Sequence, residues 1–117
     1  MPELISEPTL IPVPGGKTIE EFIGGVRTGD SKVSVAVMHA PAGWSEPAQS
    51  PEFDEFTIVI TGAIDVEHDG GTTTVSAGQA LVTRAGERVR YLTREDAHYV
   101  AICVPAFSPE LVNREDN

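Results

Sequence analysis

Basic residues are scarce in this sequence. Lys and Arg number 8 against 18 Asp and Glu, a formal net charge of −10. A nucleic-acid partner needs a cationic footprint that displaces counterions, so nucleic-acid binding is excluded as an expectation. Anionic membrane surfaces are disfavoured for the same reason. Cysteine occurs once, as Cys103, so no disulfide can form within the chain. Its setting, Tyr-Val-Ala-Ile-Cys-Val-Pro over residues 99–105, reads as a buried small hydrophobe with no adjoining base. No apolar run is long enough to span a membrane. Residues 1–14 lack the basic start and apolar block of a signal peptide, which makes a cytoplasmic location the expectation. Sustained helical periodicity, long repeats and low-complexity segments are missing too.

What remains is a chain of 117 residues with 40% apolar content, enough for one domain with one core. Four prolines, Pro2, Pro8, Pro12 and Pro14, make residues 1–16 an extended arm that docks on something. Gly24-Gly25 and Gly29-Asp30 are turn signals. Short apolar or alternating runs then recur: residues 33–39, 55–61, 63–68, 72–75, 80–84, 88–93 and 98–104. Asp69-Gly70-Gly71 reads as a hairpin turn between two of them. About eight short strands with turn chemistry between them predict an all-β barrel or sandwich. Ser108-Pro109-Glu110 predicts a short C-terminal helix with Ser108 as N-cap. The barrel core is expected over residues 30–105 and the tail over 106–117.

Gly43, then Glu55, then Gly62 seven residues later, followed by Gly78 and Arg84-Ala85-Gly86, resemble the two motifs of the cupin superfamily. These are small RmlC-like jelly rolls, or double-stranded β-helix barrels. In that family the first motif reads Gly, five residues, His-x-His, three or four residues, Glu, six residues, Gly. The second reads Gly, five residues, Pro-x-Gly, two residues, His, three residues, Asn. The glycine and glutamate framework matches; the metal ligands do not. By the resemblance, the first-motif histidines fall on Gln49 and Pro51 and the second-motif histidine on Val89. The motif's proline falls on Arg84 and its asparagine on Thr93. Only Glu55 keeps a strong ligand. A transition metal wants imidazoles and a carboxylate at about 2.0–2.2 Å. No cofactor is therefore expected at this site.

Strand parity puts Glu55, Thr57, Val59 and Thr61 on one face, which the resemblance makes the barrel lining. Val89 and Tyr91 would share that cavity, and Tyr99, Ala101 and Cys103 form one parity of the last strand. Glu55 is read either as a proton-transfer group in a half-apolar pocket or as a structural carboxylate bonded to Gln49, Arg or Tyr. Gln49, Thr57, Tyr91, Tyr99 and Trp44 complete the expected ligand-binding set. An atypical metal site would need His39 and His98 to face inward with Glu55. Arg84, Arg88, Arg90 and Arg94 could clamp an anion or pair with acids such as Glu52, Asp54, Glu87, Glu95 and Asp96. Three expectations follow. The first is a small-molecule-binding cupin, as binding module or acid–base enzyme, without a typical metal centre. The second is a metal-dependent dioxygenase or isomerase. The third is a structural or regulatory protein whose barrel is filled by its own side chains. A homodimer is expected because edge strands need cover.

Overall fold

Side chains alternate across the long strand Ala97–Val104: Ala97, Tyr99, Ala101 and Cys103 are buried, and His98, Val100 and Ile102 are half-buried. This period of two, repeated along the chain, sorts one row of residues inward and one outward. The computed structural model describes residues 1–116. Among them are β1 (Thr9–Ile11), β2 (Thr18–Ile23), β3 (Ser34–Ala40), β4 (Asp54–Thr61), β5 (Ala63–His68), β6 (Gly71–Ser76), β7 (Ala80–Thr83), β8 (Arg90–Leu92) and β9 (Ala97–Val104). One helical turn, α1 (Pro109–Val112), follows. Asn117, the last residue of the expected tail, lies outside the described residues.

The strands form two antiparallel sheets, ordered β1, β2, β3, β9, β4, β7 and β6, β5, β8. Their inner faces meet in a core shared by both: Val59, Ala97 and Tyr99 from the large sheet, Ile64, Val66, Val75 and Tyr91 from the small one. Burying each such Val or Ile side chain contributes roughly 1.5–3 kcal/mol. This is the expected all-β jelly-roll barrel. A second cluster, Phe53, Cys103 and Val112 with Phe107 and Leu111, packs α1 against one end.

Asp69-Gly70 forms the tight turn between β5 and β6, with His68 paired to Gly71. Asp65 on β5 then ties the small sheet together. It accepts from the Thr74 hydroxyl on β6 at 2.6 Å and from Arg94 at 2.6 and 3.2 Å. Ser108 has the extended backbone of an N-cap but makes no side-chain cap bond, and α1 ends on Asn113 in the left-handed conformation. The arm does dock, on its own sheet: β1 pairs with β2, and β2 with β3. The strand β2 was not foreseen, since Glu20-Glu21 and a bulge between Glu21 and Ile23 break the alternation. No helix of the described residues is long and apolar enough to cross a membrane.

Candidate functional site

The register of the large sheet assembles one inward row. Ile19 lies opposite Met38, Met38 opposite Tyr99, Ala36 opposite Ala101, and Glu55 opposite Cys103. Alanines in the middle of that row leave space, and a cavity of about 410 Å³ lies over it. That volume suits a small organic molecule. The third expectation needed a filled barrel, and the space is not filled. The arm supplies one wall through Ile11, Val13, Pro14 and Gly15. The loop before β4 supplies another, with Trp44, Glu46 and Gln49, and the tail adds Arg114.

Thr93, at the family's asparagine position, clasps that loop. Its hydroxyl donates to the Pro41 carbonyl at 2.6 Å, and its amide donates to the Trp44 carbonyl at 2.9 Å. Trp44 is thereby held in the cavity wall. Gln49 and Val89 exchange backbone bonds at 2.9 Å each, which extends the small sheet onto the same loop.

Three carboxylates reach the cavity, and they differ in what they meet. Glu21 accepts from the backbone amides of Val26 and Arg27 at 2.9 and 2.8 Å, so it serves the turn after β2. Glu46 faces Arg114 at 3.6 Å. Glu55 is only 9% exposed, and no described residue donates to its carboxylate. No fully buried side-chain polar atom lacks a partner among the described residues, so the Glu55 oxygens open onto the cavity space. Burial pushes its pKa up to about 7, the Lys17 charge draws it back, and Glu46 adds to the rise.

Lys17 was not singled out by the sequence. It enters because β2 joins the sheet. Its Nζ lies 4.3 Å from the Trp44 ring centroid and 5.5 Å from that of Tyr99. Burial lowers its pKa, against the pull of Glu46 and Glu55. Tyr91 and Tyr99 line the same space with their phenols pushed up by burial. Cys103 lines it too, as a free thiol raised by burial and then by Glu55, far from a thiolate.

Of the expected binding residues, Gln49, Glu55, Tyr91, Tyr99 and Trp44 come together in this cavity. Thr57 is buried on the Glu55 face but lies off the cavity lining. Thr61 is exposed, because the bulge between Val59 and Thr61 ends the inward row. His39 and His98 do not join Glu55. They are register partners on the outer face of the large sheet, ring centroids 5.9 Å apart. That register rules out the metal set Glu55, His39 and His98, and among the described residues no three His, Cys, Asp or Glu side chains converge as metal ligands. The four arginines pair with acids at the surface: Arg84 with Asp54, Arg88 with Glu115, Arg90 with Glu67 and Arg94 with Asp65.

The family's metal does not fit the residues at its usual ligand positions. Pro51 and Val89 have no donor, and the single Gln49 side-chain oxygen accepts from Arg114 at 2.9 and 3.3 Å. A guanidinium on that oxygen repels a cation rather than sharing it.

A curated protein of Myxococcus xanthus named endoribonuclease YbeY is 47% identical over 110 residues, 91% of this chain. The chain spans 37% of that relative's length. Among solved structures, the polyketide cyclase RemF of Streptomyces resistomycificus superposes with a TM-score of 0.76 at 18% identity, over 100% of this chain and 87% of that one. An RmlC-like cupin of Shewanella frigidimarina gives a TM-score of 0.76 at 11% identity, covering 93% and 94%. Identities this low speak to the fold alone. The cupin domain family model matches residues 36–105, from β3 through β9, and with the jelly roll around it this chain belongs to the cupin family.

Proposed function

We propose that this cupin binds a small, largely apolar molecule in its barrel, without a metal at the family's usual site, and that Glu55 exchanges a proton with it. The observation that carries the reading is the Glu55 carboxyl: buried, unpartnered among the described residues, and open to an apolar space. Its oxygens are reached from the cavity side, so a ligand that displaces water there must supply their partner. The name of the Myxococcus relative is not carried over, because most of that protein lies beyond the match. A net charge of −10 also opposes a phosphate backbone. A reducing cytoplasm suits the lone Cys103 thiol. A homodimer through the outer face of the large sheet is part of the same reading, supported by exposed Ile58, Ile60 and Val82.

Trp44 is the single tryptophan, so its fluorescence reports on the cavity. A screen of small apolar carbonyls, alcohols and acids should yield compounds that shift Trp44 emission and raise Tm together. Elemental mass spectrometry on protein purified without chelators should find no stoichiometric transition metal. Stoichiometric Mn, Fe, Ni, Cu or Zn, or a Tm raised by metal alone, would overturn the metal-free reading.

A further inference from the structure

We infer that Lys17 and Glu55 form a carbonyl-capturing pair: the Lys17 amine adds reversibly to a small apolar aldehyde or ketone in the cavity, and Glu55 supplies the proton with which its oxygen leaves as water. The inference rests on the small-molecule reading above and names the class of molecule and the bond it forms.

Lys17 differs from the other basic residues without an ion pair, Arg27 and Lys32, which are exposed, in lying half-buried at the cavity. Arg84, Arg88, Arg90, Arg94 and Arg114 each stand within ion-pair distance of a carboxylate. In a chain with 18 acidic residues, no described carboxylate comes that close to Lys17. Its Nζ instead faces the rings of Trp44 and Tyr99 on the cavity wall. The rings and the Glu46 and Glu55 charges favour the ammonium, but the hydration it loses in the cavity wall outweighs them and favours the uncharged, nucleophilic amine. Across the same space, the Glu55 carboxyl meets no described donor, and burial favours its protonated form. Arg114 is already held by Gln49 and Glu46, which leaves Lys17 as the cavity's cationic side chain without an ion pair among the described residues.

The step balances. The Nζ lone pair forms the C–N bond while the carbonyl π pair moves to oxygen, and an amine proton moves to that oxygen to give a carbinolamine. The Glu55 acid proton then passes to the hydroxyl, the C–O bond breaks, and water departs. An iminium on Lys17 and a carboxylate on Glu55 remain, so a neutral pair becomes an ion pair. No oxidant or reductant is consumed. The apolar walls, Ile11, Val13, Ile19 and Met38, would receive the substituents of the carbonyl.

The experiment is reductive trapping of the whole protein with benzaldehyde and sodium cyanoborohydride at pH 7, followed by peptide mapping. Lys32, exposed, and the amino terminus are the competing amines. Lys17 should be benzylated roughly 10-fold or more faster than Lys32. Glu55→Gln should slow Lys17 by a similar factor and leave Lys32 unchanged. Lys17→Arg should remove the fast-labelled site. Benzyl alcohol, which fits the same space but has no carbonyl, should compete.

Equal labelling of Lys17 and Lys32, or labelling of Lys17 that ignores Glu55→Gln, would overturn the pair. Trp44 fluorescence with benzyl alcohol separates the two readings. A shift without a selective Lys17 adduct retains the binding cavity and sinks the capture chemistry. No shift and no adduct sinks both.

Discussion

Glu55 couples the site to the stability of the whole barrel. Its folded pKa of about 7 lies above the ordinary value of 4.5, so the native state holds this proton over a range where the unfolded chain has released it. The stability it contributes is complete below about pH 4.5 and is lost as pH rises through 7. At about 1.36 kcal/mol per pKa unit, up to roughly 3 kcal/mol is at stake. Urea unfolding from pH 5 to 8 should therefore show falling stability in the native sequence, and a flatter profile with higher stability above pH 7 in Glu55→Gln. Every other ionisable group is common to both proteins, so the difference between the profiles isolates the carboxyl. Superimposable profiles would mean that Glu55 ionises normally. The placement of Glu55 was legible because motif spacing and parity both act locally. Lys17 was not legible, because its inward aim depends on β2 pairing with β3, a non-local event masked by the Glu20-Glu21 pair and the bulge after it.

The join between β4 and β5 is a single residue, Gly62, at φ 76°. A Cβ there would press into the Asp96 carbonyl oxygen as well as strain the backbone. Gly43 has a similar φ of 80° but open space around it. Gly62→Ala should cost about 3 kcal/mol or more, Gly43→Ala about 1 kcal/mol, read from denaturant midpoints. Equal costs would show that backbone strain alone matters at both. Most strands from β3 to β9 were visible in the sequence through alternation and turn residues. The inward or outward fate of His39 and His98 was not, since parity says only that neighbours alternate. The sheet register, which pairs them with each other on the outer face, decides it. The arginine cluster was likewise ambiguous until the folded surface set Arg94 beside Asp65 and Arg88 beside Glu115, acids that sequence proximity does not suggest.

On the scale of the molecule, the large sheet turns an apolar outer face to solvent. Ile58, Ile60 and Val82 are 40%, 51% and 48% exposed, more than an isolated domain needs to show in one place. Size-exclusion chromatography with light scattering should give a dimer at micromolar concentration, and Ile58→Glu with Ile60→Glu a monomer of unchanged circular dichroism. Because each protomer carries −10, salt should strengthen the dimer by screening repulsion. A native monomer at all concentrations would remove the proposed interface. The opposite edge of that sheet carries a different consequence. β1 is three residues long, is held by β2 alone, and runs directly into the segment from Ile11 to Gly15 that walls the cavity. Edge segments held by one short ladder fray at far lower free energy than a core opens. If the cavity takes a guest as proposed, the dwell time of that guest should follow how often this short ladder lets go. Such a guest should also slow amide exchange along the arm, which would make the arm a clock for occupancy.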